Sequence, residues 1–175
     1  MTVFDQAFRV VVGEEGGFTA NPADPGNWTS GVSGRGECRG TRYGISAASY
    51  PDLAIATLSL DAARAIYRRD YWDRVQGDLL PPPLALLVFD AAVNNGVGRA
   101  VRWLQQASGV PPDGTIGPHT LAAVAVKAGQ GAALLAEFQA QRLTFMASLP
   151  TWRTFGLGWA RRLCRLPYAA IALEI

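Results

Sequence analysis

The chain has 175 residues, of which 49% are hydrophobic and 17% charged. That composition supports a packed core in one compact domain, or in a domain with a small lobe, and it excludes a disordered chain. The formal net charge is only +2. Because the chain lacks the dense Lys/Arg clusters that nucleic-acid binding requires, no nucleic-acid partner is expected.

The first predicted element is an amphipathic helix that begins at Val3. The residues that follow the i, i+3, i+4, i+7 template of a helix are Val3, Phe4, Ala7, Phe8, Val11 and Val12. At about 100° per residue, Glu15 projects near the middle of this apolar face and Glu14 near its edge. Gly16 and Gly17 are predicted to end the helix, since glycine adopts the left-handed cap conformation readily.

Glu15 is the candidate general acid of the chain. Partial desolvation and the negative end of the helix dipole are both expected to raise its pKa. A carboxyl group that stays protonated near neutral pH is what cleavage of a glycosidic bond requires. The alternative is a solvated acid at a helix end, which is the interpretation that we favour for Glu14.

Residues 18 to 45 are rich in glycine and proline, so they are predicted to form a long loop with room for a short hairpin. Long loops inside compact domains are often functional. Trp28, Thr41 and Tyr43 supply the aromatic and hydroxyl groups that a sugar-binding surface uses. A merely packed loop with an exposed tip is the alternative. Asp24 is either a second carboxylate of a site or the turn residue of an Asp-Pro-Gly turn.

The remainder of the chain is predicted to be helical, so the expected fold class is mainly α. Ser59 is a predicted N-cap, and the prolines at 81 to 83 break the chain before an apolar helix over 84–93. Asp90 alone interrupts that helix. A buried carboxylate needs a partner, and a structural hydrogen bond is favoured over catalysis. No long strand pattern is present in the sequence.

Metal and cofactor chemistry are not indicated. Cys38 and Cys164 are far apart in the sequence and His119 is the only histidine, which leaves no ligand spacing for zinc. We therefore expect no metal and no cofactor, and we favour two separate thiols over a disulfide. The longest apolar run, 84–89, is too short to span a bilayer, so no stable membrane insertion is expected.

Several motifs, taken in order, resemble the family 108 glycoside hydrolases, which are lysozyme-like N-acetylmuramidases of bacteria and phages. The N-terminal matches are Glu15-Gly16-Gly17-Phe18, Asn21-Pro22, Asp24-Pro25-Gly26, Thr41-Arg42-Tyr43-Gly44-Ile45-Ser46, Tyr67-Arg68-Arg69-Asp70-Tyr71-Trp72 and Phe89-Asp90-Ala91-Ala92-Val93-Asn94. Later matches resemble the predicted peptidoglycan-binding region of the same family: Leu104-Gln105, Asp113-Gly114, Ile116-Gly117-Pro118 and Thr120-Leu121.

The resemblance implies a lysozyme-like helical fold that cleaves the glycan strands of bacterial peptidoglycan. It implies a catalytic region over 1–94 and a peptidoglycan-binding region over 95–175, packed as one compact unit. The protein would be a monomeric endolysin or wall-remodelling enzyme. No signal peptide is visible, so it is expected to be made in the cytoplasm and to reach the cell wall after release or assisted export.

The resemblance places the family's catalytic glutamate on Glu15. We hypothesise an inverting hydrolysis in which Asp24 and a hydroxyl such as Thr41 position water, while Trp28 and Tyr43 stack on sugar rings. Asn94 either hydrogen-bonds an N-acetyl group or caps its helix. The chain departs from the family over 27–40, where Asn27 replaces a glycine and an insertion follows.

Two other functions remain open from the sequence. One is a wall-binding accessory protein for secretion that has no useful turnover. The other is a lytic transglycosylase, which also uses a lone glutamate but forms an anhydro product.

Overall fold

The computed structural model describes residues 1–13, 17–129 and 131–173, and this part of the chain is mainly α, as predicted for a lysozyme-like fold. The helices are α1 (Val3–Val11), α2 (Leu60–Tyr67), α3 (Pro82–Asn95), α4 (Val97–Ser108), α5 (Pro118–Ala128), α6 (Gly131–Ala147) and α7 (Trp152–Ile171). The strands β1 (Thr41–Arg42) and β2 (Ile45–Ser46) form an antiparallel hairpin.

The chain divides into two compact units. The smaller unit holds residues 8–67, and the larger one combines residues 1–7 with residues 68–175. The smaller unit contains the long loop, the hairpin and α2, whereas the larger unit is built almost entirely from helices. The predicted boundary at residue 94 was drawn from sequence motifs and stays a prediction.

Helix α1 is shorter than the sequence pattern predicted. It ends at Val11, and Gly13 follows with a φ of 80° and donates its N–H to the carbonyl oxygens of Phe8 and Arg9. The predicted unbroken continuation of α1 to a Gly16-Gly17 cap is therefore wrong. Glu14, Glu15 and Gly16 themselves lie outside the described residues.

The apolar face assigned to α1 is confirmed within the helix. Phe4, Ala7 and Phe8 are buried, and Val10, which lies off the pattern, is 41% exposed. In the larger unit Phe4 contacts Trp72 edge to face at 5.4 Å. In the smaller unit Phe8 contacts Tyr67 in the same way at 5.6 Å. Such pairs contribute about 0.5 to 1.5 kcal/mol of stability beyond that from the burial of each ring.

Two predicted helix starts are also confirmed. The Ser59 hydroxyl accepts the N–H of Ala62 at 3.1 Å, which caps α2. Helix α3 begins at Pro82, because proline at the first helical turn loses no intrahelical hydrogen bond. Every residue from Leu84 to Ala92 is buried, so α3 is the central helix of the larger unit.

A buried cluster of charges connects α3 with α6 and α7. Arg142 donates from Nη1 to Asp90 at 2.6 Å, and both side chains are fully buried. Arg162 donates from Nε to the other carboxylate oxygen at 2.9 Å. Burial lowers the pKa of Arg142 from its ordinary value, and the charge of Asp90 opposes that shift. The predicted buried partner of Asp90 is thus confirmed.

A second polar cluster lies after α4. Gln105 is buried and donates to Asp113 at 2.6 Å, and it accepts the N–H of Gly114 at 2.9 Å. The Asp113 carboxylate also accepts the N–H of Thr115 at 2.8 Å. The hydrogen bond from Gln105, followed by that from Thr115, lowers the pKa of Asp113. These bonds hold the turn between α4 and α5.

We predict that Asp90→Ala lowers the free energy of unfolding by about 3 to 5 kcal/mol, because it leaves Arg142 buried without its charged partner. Glu37→Ala is the matched control, since the Glu37–Arg39 pair is exposed and its loss is expected to cost at most about 1 kcal/mol. Urea unfolding followed by circular dichroism measures both. Equal losses in the two variants would contradict a structural role for the buried cluster.

We predict that Asp113→Asn changes how stability depends on pH. Because the pKa of Asp113 is lowered in the folded state, its contribution is present above the unfolded pKa of about 3.9 and is lost as pH falls through the folded value. The gap in melting temperature between wild type and variant should therefore shrink below about pH 4. A gap that stays constant from pH 7 to pH 2 would show that the charge of Asp113 does not contribute.

Candidate functional site

The long loop of the smaller unit is organised around the side chain of Asn27, which is fully buried. Its amide nitrogen donates to the carbonyl of Asn21 at 3.0 Å, and its amide oxygen accepts the hydroxyl of Thr41 at 2.7 Å. Its backbone carbonyl accepts the N–H of Gly40 at 3.0 Å. A buried amide satisfied in this way fixes both ends of the loop, because leaving it unpaired is costly.

Asp24 lies at the start of this loop and is exposed. One carboxylate oxygen accepts the N–H of Gly26 at 2.9 Å, which caps the short 3-10 helix Pro25–Asn27. The turn role considered for Asp24 is therefore present in the structure. Among the described residues no other group donates to the carboxylate, so its second oxygen can still accept a hydrogen bond.

Trp28 follows the 3-10 helix and is half-buried. Its indole N–H donates to the carbonyl of Pro22 at 2.9 Å, and its backbone N–H donates to the carbonyl of Pro25 at 3.1 Å. The indole ring is thus held in one orientation against the loop. Its backbone also forms a bridge with Cys38 across the insertion.

Thr41 opens β1 and is half-buried. It exchanges both backbone hydrogen bonds with Thr19, at 3.0 and 2.8 Å, so the segment that begins at Gly17 runs antiparallel to β1. The single proton of the Thr41 hydroxyl is given to Asn27. Its oxygen lone pairs can still accept a hydrogen bond, which is the capacity needed to hold a water molecule.

Gly40 permits the close approach of the two segments. Its φ is 84°, and a Cβ placed there would lie 2.5 Å from the Phe18 ring and 2.5 Å from the carbonyl oxygen of Thr19. No side chain fits at that distance. Glycine at this position therefore sets the spacing between β1 and the segment that carries Phe18.

Tyr43 lies at the tip of the hairpin with a φ of 51°, followed by Gly44 with a φ of 72°. Two consecutive positive values match the type I′ turn that suits a two-residue hairpin loop. The Tyr67 hydroxyl donates to the Tyr43 carbonyl at 3.0 Å, and the guanidinium of Arg42 lies 5.4 Å from the centre of the Tyr43 ring. Tyr43 is half-buried, which leaves part of its ring accessible.

Asn94 belongs to the larger unit and lies in the last turn of α3. Its amide nitrogen donates to the backbone carbonyl of Asp90 at 2.8 Å and contacts the Asp90 carboxylate at 3.3 Å. The side chain is therefore bonded back into its own helix. Its exposed amide oxygen remains able to accept a hydrogen bond.

A hollow of about 380 Å³ opens on the smaller unit. Phe18 is 47% exposed on its wall. Arg39 lies beside it. Its Nε donates to the Glu37 carboxylate at 2.7 Å, and its Nη1 donates to the carbonyl of Pro51 at 2.8 Å. The remaining lining residues are Cys38, Asp52, Ala54, Ile55, Ala56 and Thr57. An aromatic wall with polar groups at its edge is typical of a sugar-binding surface.

Hydrogen bonds within one loop connect the positions of Asp24 and Thr41: Asn27 donates its backbone N–H to the Asp24 carbonyl, and its side-chain oxygen accepts the hydroxyl of Thr41. Sequence reasoning missed that role for Asn27, which it treated only as the replacement of a glycine. It also missed Phe18 and Arg39 as lining of the hollow. The repeated asparagines at 21 and 27 were visible in the sequence, but no periodic pattern indicates that one of them is buried.

No metal site is seen in the described ranges, where no three His, Cys, Asp or Glu side chains gather. Cys38 and Cys164 are free thiols. Of the helices with described residues, none has both the length and the apolar character needed to cross a membrane.

Comparison with known proteins identifies two sequence families along the chain. The glycosyl hydrolase 108 family matches residues 8–96. A domain described as a predicted peptidoglycan domain matches residues 99–164. A glycosyl hydrolase region followed by a peptidoglycan region supports a peptidoglycan hydrolase, as the sequence motifs predicted.

A solved structure agrees with these matches. The chain is similar to the structure of Brucella abortus SagA, with 34% sequence identity and a TM-score of 0.77, over 97% of this chain and 94% of that chain. No curated protein sequence matches. The family match over more than half of the chain and this structural likeness lead to one conclusion: the chain belongs to the glycosyl hydrolase 108 family.

Proposed function

We propose that this glycoside hydrolase is an N-acetylmuramidase of the lysozyme type, with Glu15 as its general acid. It cleaves the bond between N-acetylmuramic acid and N-acetylglucosamine in peptidoglycan. The observation that carries the proposal is the Asn27-anchored loop, in which Thr41 is bonded to Asn27 and pairs with Thr19 of the segment that follows Glu15. The role of Glu15 is assigned from its sequence motif and from its position in the chain.

The connectivity of the chain supports this placement. Thr19 pairs with Thr41, and Glu15 precedes Thr19 by four residues, which span at most about 14 Å when fully extended. In the proposal, this length of chain lets the carboxyl group of Glu15 and the hydroxyl of Thr41 act on the same glycan.

The proposed reaction is a single displacement by water. Glu15 gives its proton to the leaving glycosidic oxygen as the bond to the anomeric carbon breaks. A water molecule that donates to the Thr41 oxygen attacks that carbon from the opposite face, and the open oxygen of Asp24 takes the proton of the water. Such a reaction inverts the anomeric configuration.

The aromatic side chains supply the binding surface in this proposal. Trp28 is fixed by its bond to Pro22, and Tyr43 by the hairpin turn, so both rings are oriented before a glycan arrives. The hollow beside Phe18, which lies in the same unit, is a further candidate for sugar binding. For Asn94, which belongs to the larger unit, a role in binding an N-acetyl group stays a prediction.

We further propose that the protein acts as a monomeric endolysin on the cell wall. It is made in the cytoplasm and reaches the wall after release or assisted export. The location of its polymeric substrate and the peptidoglycan region over 99–164 support this site of action.

A lytic transglycosylase is the second candidate. The observation in its favour is the bond from Gly26 to Asp24, which gives that carboxylate a structural role and leaves one acid for the chemistry. A transglycosylase would release 1,6-anhydro ends, whereas hydrolysis releases reducing ends that have gained water. Mass spectrometry of the released muropeptides distinguishes the two.

We predict that Glu15→Gln lowers the rate of muropeptide release from purified peptidoglycan by at least about 10²-fold, because the amide has no acidic proton to give. Glu14→Gln is the matched control and should retain most of the activity. The loss should appear in kcat, with binding to peptidoglycan retained. Wild-type turnover by Glu15→Gln would remove the catalytic claim, and no turnover by any form would favour a non-catalytic accessory protein.

We predict that Asp24→Asn lowers turnover at least about tenfold while the protein keeps its melting temperature. Asparagine accepts the Gly26 N–H as aspartate does, so the turn survives and only the negative charge is removed. Unchanged turnover in this variant would restrict Asp24 to its role in the turn.

We predict a parallel loss for Thr41→Val, with recovery in Thr41→Ser, which restores the hydroxyl. Thr29→Val is the control, because Thr29 is a loop hydroxyl that accepts the N–H of Glu37 instead of contacting Asn27. Muropeptide release by each purified variant is the measurement. Equal rates for Thr41→Val and Thr29→Val would show that Thr41 has no special role.

A further inference from the structure

The outer side of α7 carries a stripe of exposed residues that includes both basic and apolar side chains. Residues at helical spacing point away from the larger unit: Arg153, Leu157, Arg161, Cys164, Tyr168 and Ile171. The three large apolar members of this α7 stripe are 67%, 78% and 69% exposed, in the order Leu157, Tyr168 and Ile171. Exposed apolar residues are ordinary when scattered, but these share one face.

The charge on this helix has a single sign. Helix α7 contains no Asp or Glu, and Arg165 adjoins the stripe one turn after Arg161. Arg153, Arg161 and Arg165 make no ion pair with any residue in the described part of the chain. The next acid in the sequence, Glu174, lies outside that part. Within the described residues, this face therefore presents three guanidinium groups that form no ion pair, together with apolar side chains.

The other side of α7 holds the helix in place. Arg162 points inward to Asp90, and Leu163, Leu166 and Ala170 are buried. The helix is thus anchored to the larger unit along its inner side. The exposed residues of the stripe are not required for that packing.

We propose that the α7 stripe binds the surface of a bilayer rich in anionic phospholipids. The guanidinium groups contact lipid phosphates, and Leu157, Tyr168 and Ile171 enter the boundary between headgroups and acyl chains. Helices that combine a basic face with exposed apolar side chains lie in this interface. The helix lies on the membrane and does not cross it, which agrees with its charge.

The charge and the apolar character of the α7 stripe favour an anionic lipid surface over two other partners. A second copy of the chain, packed about a two-fold axis through α7, would place arginine against arginine without an acid to offset the repulsion. An anionic wall polymer can pair with the arginines but provides no apolar environment for the three large apolar side chains. An anionic lipid surface satisfies both groups at once.

The two cysteines allow a direct test in the full-length chain. Cys164 lies within the stripe, and Cys38 lies in the other unit. An environment-sensitive fluorophore is attached to Cys164 in a Cys38→Ser protein and to Cys38 in a Cys164→Ser protein. We expect phosphatidylglycerol vesicles to shift the emission of the Cys164 label to shorter wavelength. Phosphatidylcholine vesicles should have no effect, and the Cys38 label should not respond to either.

Variants of the unlabelled protein extend the test in a vesicle co-sedimentation assay. Replacing Leu157, Tyr168 and Ile171 together by glutamine should reduce sedimentation with phosphatidylglycerol vesicles at least about tenfold. The matched control replaces three exposed apolar residues elsewhere by glutamine: Leu79, Val126 and Leu143. Circular dichroism is used to check that both triple variants are folded. Hydrolysis of soluble glycan fragments should be equal in both, which separates this proposal from the catalytic one.

Several results would overturn the proposal. Absence of vesicle binding by the parent protein, or equal binding by the two triple variants, would exclude a lipid-binding role for the stripe. A dimer in light scattering that only the α7 variant disrupts would assign the face to a second copy. Loss of binding to purified peptidoglycan in place of vesicles would assign it to the wall.

Discussion

The candidate site depends on one buried amide. Asn27 has no access to solvent, so its amide nitrogen and oxygen must be paired within the protein, and they are paired with Asn21 and Thr41. These bonds tie the start of a long loop to the first strand of the hairpin. They also orient the Thr41 hydroxyl so that it accepts, and does not donate, a further hydrogen bond. A loop rich in glycine thereby holds a fixed set of polar groups.

The sequence predicted the elements whose signals are local or periodic. The apolar face of α1, the Ser59 cap, the start of α3 at proline and the buried partner of Asp90 are all present. Each follows from a rule that acts within a few residues or from the cost of burying a charge. The partner of Asp90 was expected, but its identity was not, because Arg142 lies 52 residues away in the sequence.

The predictions that failed or fell short involve the loop. Gly13 ends α1 before the Gly16-Gly17 pair, because either glycine position could take the left-handed conformation and local sequence does not choose between them. The role of Asn27 depends on the return of the chain at Gly40 and Thr41, which composition does not reveal. That contact depends on tertiary structure. Asn94, which the sequence left either as a helix cap or as a partner of an N-acetyl group, donates to the Asp90 carbonyl four residues earlier in its own helix.

The two proposed functions concern residues of different compact units. The smaller unit carries the loop, the hairpin and the hollow, whereas the larger unit is held by the Asp90 cluster and presents the outer side of α7. In the two proposals, the reaction uses groups of the smaller unit and lipid binding uses α7 of the larger unit. Changes to one surface are expected to leave the other intact.

The most direct test of Glu15 as the general acid is a crystal structure of Glu15→Gln with a peptidoglycan tetrasaccharide. We predict that the amide of residue 15 contacts the scissile glycosidic oxygen, and that a water bound to Thr41 lies on the opposite face of the anomeric carbon. A tetrasaccharide bound away from the Asn27-anchored loop, with residue 15 distant from any glycosidic oxygen, would contradict it.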